Sequence, residues 1–131
     1  MIKTREVGKG MYLNYLRKAE EFYDAMKTEL EKKNYNSCVL CAIHCCISAS
    51  DALTVFYKGV RHLGEKHQDV IRLLNELSIS DIKTKTRHLS NVLDIKNSLE
   101  YEEKLTTESG ALAAVKSTER LFLWIKGLLK E

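Results

Sequence analysis

The chain has no proline and only 6 glycines among its 131 residues. Without those backbone breakers a loop-rich or disordered chain is excluded. No segment alternates apolar and polar residues with the period of a strand, and no repeat or linker interrupts the pattern. An excess of one charge is also missing, since 21 basic residues against 18 acidic ones leave a net charge of +3. That balance permits a polyanionic partner without demanding one, because strongly electrostatic nucleic-acid binders concentrate a larger excess on one face. There is no Gly-rich phosphate loop, no Ser/His/Asp order and no paired-carboxylate signature. The opening MIKTREVGKG is too polar for a signal peptide, and the longest apolar run is broken by His44 and Asp51 before about 18 residues accumulate. These absences lead to the expectation of a cytoplasmic protein without a membrane partner.

What remains is a composition suited to helices, with 44% apolar and 30% charged residues. A chain of this length buries roughly two thirds of the surface its unfolded form exposes, so one domain over 1–131 is expected to fold without staples. Its most apolar stretch, Tyr35 to Tyr57, reads YNSCVLCAIHCCISASDALTVFY. As a helix it is apolar nearly all round and belongs at the centre of a bundle. At about 100° per residue His44, Ser48 and Asp51 share one narrow stripe, continued by Val55 and Lys58. A polar stripe on a buried helix needs partners.

The 4 cysteines, Cys38, Cys41, Cys45 and Cys46, lie inside that same helical pattern. Zinc knuckles place such thiols in a tight turn and draw further ligands from a distant element, so packing is the expected role and neither metal nor cofactor is expected. A disulfide within one helix fails on geometry.

On either side the 3.6-residue period returns. Tyr12, Leu16, Ala19, Tyr23, Met26 and Leu30 mark an amphipathic helix over 11–33, and Asn34 with Asn36 mark the turn after it. Gly59 and Gly64 bracket the break after the central helix. Val70, Ile71, Leu74 and Leu77 face inward over 66–77, with His67 at the start in a capping or core role. Ser80 is the expected cap of a helix from 81 to about 104, whose inward set is Ile82, Leu89, Val92, Leu93 and Leu99. Thr107 or Ser109 caps the last helix, which presents Ala111, Ala114, Val115, Thr118, Phe122, Ile125 and Leu129. Five helices with short connections read as an all-α, up-and-down type bundle.

Lys96 is out of place, close to the centre of the fourth helix's apolar stripe and flanked by Asn97 and Glu100. It either snorkels and pairs with Glu100, forms a buried pair with Asp51, or faces a polar seam with Asn97 and Tyr101, where a cation, an amide and a phenol suit a phosphate or a base. Two basic runs, Lys83, Lys85, Arg87, His88 and Lys58, Arg61, His62, Lys66, are further phosphate-contacting candidates or merely solvated faces.

The run AIHCCISASDALTVFYKGVRHLGEKHQDVIRLL, followed by RHLSNVLDIKNSLEYEEKL and AVKSTERLFLWI, resembles HEPN (higher eukaryotes and prokaryotes nucleotide-binding) domains over nearly the whole chain. SxxDAL on the central helix with the following G and HxD, and the later LxxKNxxEYE, are its most specific parts. The resemblance implies a bundle of four or five helices, commonly a face-to-face homodimer, with roles in RNA cleavage, nucleotide binding or partnership with a minimal nucleotidyltransferase. Active family ribonucleases carry an arginine, usually a polar residue next, and a histidine four to six positions on. Here the matching stretch has Lys96, Asn97 and Tyr101. Lysine lacks arginine's bidentate grip on phosphate, and a phenol is a poor general base at neutral pH. Arg61 and His67 satisfy the spacing formally but stand where the family does not place its site.

The resulting expectation is a non-catalytic, dimeric HEPN-like module that binds RNA or nucleotide at a seam of Lys96, Asn97, Tyr101, Asp51 and Ser48. The alternatives are a partner of a minimal nucleotidyltransferase in a toxin–antitoxin-like pair, and a metal-independent endoribonuclease using Lys96, Tyr101 and His44.

Overall fold

The computed structural model describes residues 2–64, 66–101 and 104–129, with the side chains of His67, Glu100 and Tyr101 outside that description. Among the described residues the helices are α1 (Tyr12–Glu31), α2 (Tyr35–Lys58), α3 (His67–Asn75), α4 (Ile82–Tyr101) and α5 (Glu108–Leu128). The all-α bundle expected from the periodicity is the observed architecture.

The central stretch forms α2, which packs most extensively on α1 and next on α5. Met26, Ile43, Leu53, Leu121 and Phe122 are at most 1% exposed and form the heart of the core. Tyr23 and Phe122 meet with ring centroids 4.8 Å apart. By length and composition α2 could cross a membrane, yet 67% of its most apolar window is buried by the bundle. Cys38, Cys45 and Cys46 are buried within that packing, and the Cys46 thiol donates to Thr118 Oγ1 at 3.4 Å. Burial pushes the Cys38 thiol up to about 11 and Cys46 up to about 12, and raises Cys45 further. These thiols pack within the core.

The helix ends follow local chemistry. Thr107 caps α5 by accepting from the Gly110 N–H at 3.0 Å, as its hydroxyl predicts. Asn34 precedes α2, but its side chain donates to Glu29 Oε2 at 2.9 Å instead of capping. Asp81, not Ser80, stands directly before α4, in the left-handed region at φ 68°. The inward face of α3 includes Leu73 beside Val70 and Leu74, with Leu77 buried just beyond the helix, while Ile71 is only half-buried.

Strand periodicity predicts no sheet, yet β1 (Thr4–Glu6) pairs antiparallel with β2 (Val60–His62). Gly59 makes this possible. It ends α2 at φ 65°, a conformation glycine adopts without steric cost, and donates its N–H to Val55 O. Its carbonyl then accepts the Val7 N–H at 2.8 Å, which fixes the N-terminal segment against the chain leaving α2.

Candidate functional site

Helices α1 and α2 are joined by a short turn and run antiparallel, so Tyr15 of α1 lies level with Asp51 of α2 and Phe22 with His44. Between them and the two-stranded sheet opens a cleft of about 650 Å³. The stripe of His44, Ser48 and Asp51 forms one wall, Tyr15, Lys18 and Phe22 the other, and Arg5 and Arg61 close one end.

Register explains the two arginines. Arg5 and Arg61 are directly opposite one another in the β1–β2 pair, so their side chains project on the same face. Arg61 Nε donates to Asp51 Oδ2 at 3.0 Å, and the Asp51 side chain is 8% exposed against 35% for Arg61. Burial raises the Asp51 carboxyl above its ordinary value, outweighing the hydrogen bond and charge of Arg61 and the charge of Lys18. The same hydrogen bond holds the Arg61 guanidinium above its ordinary value. The guanidinium lies 5.8 Å from the Tyr15 ring centroid. Arg5 reaches Tyr15 Oη over 3.5 Å, a long contact. Among the described residues neither Arg5 nor Lys18 meets a carboxylate at ion-pair distance. At the other end the His44 and Phe22 rings stack at 5.1 Å and 27°. The cleft thus combines cations lacking carboxylate partners with an aromatic wall, an arrangement that accepts an anion carrying a flat ring.

The HEPN domain family model matches residues 12–128. The chain belongs to the HEPN domain family. No curated protein compared with it matches.

Within this HEPN domain the expected seam is divided. Asp51 takes Arg61 as its partner where Lys96 was anticipated, and none of the residues lining the α1–α2 cleft comes from α4. The reason is topological: β2 swings Arg61 back over the end of α2 that carries Asp51. Lys96 is half-buried on α4 and makes a further interaction there. Asn97 is exposed and lines a separate depression of about 300 Å³ with Lys66, Ser90 and Asp94. Tyr101 ends α4, and its side chain, like those of His67 and Glu100, lies outside the described residues.

The basic run after α2 is likewise split. Lys58 pairs with Glu76 at 2.7 Å, Arg61 turns into the cleft, and His62 is partly buried with its Nε2 lacking a hydrogen-bond partner among the described residues. The second run remains together, and the charges of Lys85, Arg120 and Arg87 add to burial in lowering the His88 pKa. Arg5, Tyr15, Lys18 and Phe22 were missed as site residues. A signal existed, because Tyr15, Lys18, Phe22 and Ala25 repeat at i, i+3, i+7 and i+10 as a second stripe beside the core stripe of α1. Among the described residues no group of His, Cys, Asp and Glu is arranged to hold a metal ion.

Proposed function

We propose that this HEPN domain is a non-catalytic module that binds RNA or nucleotide, with a phosphate of the ligand received by Arg5, Lys18 and Arg61 in the α1–α2 cleft. The carrying observation is the Arg5–Arg61 juxtaposition across the β1–β2 pair. Like charges directly opposite in a ladder are destabilising, and Asp51 is the only carboxylate that meets either one among the described residues. A phosphate between them removes that repulsion and adds charge-assisted hydrogen bonds. The non-catalytic reading is supported by Lys96 and Tyr101 standing where the family's ribonucleases carry arginine and histidine. With α4 at a homodimer face, as the family arrangement implies, Lys96, Asn97 and Tyr101 fall at a subunit seam; a monomeric mass in light scattering counts against that part.

The test is a titration of labelled RNA and of ATP against wild type and the Arg5→Gln/Lys18→Gln double variant, with EDTA present. Intact RNA and at least a tenfold weaker affinity in the variant are expected. Equal affinities sink the cleft as the ligand site. RNA cleavage that vanishes in Tyr101→Phe replaces the non-catalytic reading with a ribonuclease.

A further inference from the structure

Resting on that reading, we infer that the cleft takes a single phosphorylated nucleoside unit, its phosphate at the Arg5–Arg61 end and its base on the Phe22–His44 stack. From Asp51 to His44, and from Tyr15 to Phe22, is about two helical turns, or roughly 10 Å at 1.5 Å per residue. The cavity of about 650 Å³ lies within the range of roughly 300–1,000 Å³ typical of small-molecule sites. Its chemistry is graded along that length. The arginines occupy one end, Lys18 and the Ser48 hydroxyl stand midway on opposite walls, and the stacked rings with Ile47 and Ala25 form the other.

A groove that tracks a strand carries cations along its whole length, so that successive phosphates are met in turn. Here the ring end carries Glu21, a carboxylate that also lines the cleft and is held by Arg17 at 3.2 Å. Arg17 does not line the cleft and is engaged by that carboxylate, so a second phosphate placed beyond the base finds no unpaired cation there among the described residues. The ligand is therefore a nucleotide with one phosphate-bearing end inside the cleft, either a free mononucleotide or the 5′-phosphorylated terminal residue of an RNA. An aromatic wall gives stacking without demanding a particular base.

Calorimetric titrations of the full chain with AMP, adenosine, inorganic phosphate, and one RNA oligonucleotide prepared with a 5′-phosphate or a 5′-hydroxyl test this. AMP is expected to bind at least tenfold more tightly than adenosine or phosphate. His44→Ala, at an exposed position, should bring AMP toward phosphate while leaving phosphate unchanged, and Phe22→Leu should do the same if it folds. A 5′-phosphate preference in the oligonucleotide identifies an RNA end as the source, and AMP binding without it identifies a free nucleotide; both support the inference. If AMP binds no better than phosphate, or the two oligonucleotides bind alike while AMP does not bind, the single-unit site is overturned. In that case the proposed function still stands, provided RNA affinity falls in Arg5→Gln/Lys18→Gln. If no ligand responds to that double variant, the proposed function itself fails.

Discussion

Replacing Arg61 with methionine keeps most of the side chain's length while removing its charge and its hydrogen bond to Asp51. The carboxylate left behind belongs to a residue only 5% exposed, and the nearest remaining cation named by its electrostatics is Lys18. Removing one partner of a fully buried pair costs about 3–5 kcal/mol. Because the Arg61 side chain is 35% exposed, part of that interaction is already screened, and a loss of about 2 kcal/mol at neutral pH is expected. For a chain of this size that is a fall in Tm of about 7 °C. The pH dependence separates this cause from a packing defect. Asp51 already binds its proton above the ordinary carboxylate value, and loss of Arg61 moves it higher still. A raised carboxyl means that the folded state holds the proton that the unfolded state has released, so the variant recovers stability as pH falls toward and through that raised value. Urea unfolding of wild type and Arg61→Met at pH 7.5 and pH 5 measures both quantities. A deficit near 2 kcal/mol at the higher pH that shrinks at the lower one is the expected result. A deficit of the same size at both values, or none at either, refutes the assignment of Asp51 and Arg61 as a coupled buried pair.

Three further outcomes are expected. Gly59→Ala places a Cβ at φ 65°, where the nearest atom, Val7 O, is an ordinary 3.6 Å away; the cost is conformational, about 1 kcal/mol by thermal melting, and a neutral result removes the left-handed cap as a determinant of the β1–β2 turn. A thiol reagent at pH 8 should modify Cys41 first in the native protein and all 4 cysteines after unfolding, because burial raises the Cys38, Cys45 and Cys46 thiols and hides them; rapid native reaction of all of them contradicts the packing described. Burial lowers the His62 and His88 pKa values, so the unfolded chain takes up protons that the folded one refuses, and Tm should fall as pH drops below about 6.5. His62→Gln and His88→Gln should flatten that slope, and an unchanged slope in both variants rules these histidines out as its source.

Much of the fold was legible because helices announce themselves locally. The spacing of Tyr12, Ala19, Tyr23 and Met26, and of Ala111, Ala114, Thr118, Phe122 and Ile125, states both helix and buried face before any partner is known. Thr107 likewise carries its capping chemistry within a few residues. The β1–β2 pair was not legible. Its strands are three residues each, too short for alternation to register, and they join the N-terminus to the end of α2 across most of two helices. That unseen pairing is also why Asp51 was matched with the wrong cation. From the sequence Asp51 needed a cation, and Lys96 was the conspicuous one on a helix; Arg61 looked like part of a solvated basic run. Once β2 folds back, Arg61 reaches Asp51, and the stripe that includes His44 and Ser48 belongs with α1 instead of α4. The stripe itself was correctly recognised as polar and in need of partners: Asp51 finds Arg61 and His44 stacks on Phe22.

The central claim is that phosphate is held by Arg5 and Lys18 beside the Asp51–Arg61 pair, and its most direct measurement is the salt dependence of RNA affinity. Each phosphate of single-stranded RNA that is no longer neutralised lowers the slope of log K against log salt by about 0.7. Arg5→Gln/Lys18→Gln removes two of the cations around one phosphate and should therefore bind at least tenfold more weakly at low salt, with a slope shallower by about 0.7. A double variant whose affinity and slope both match the wild type contradicts the account.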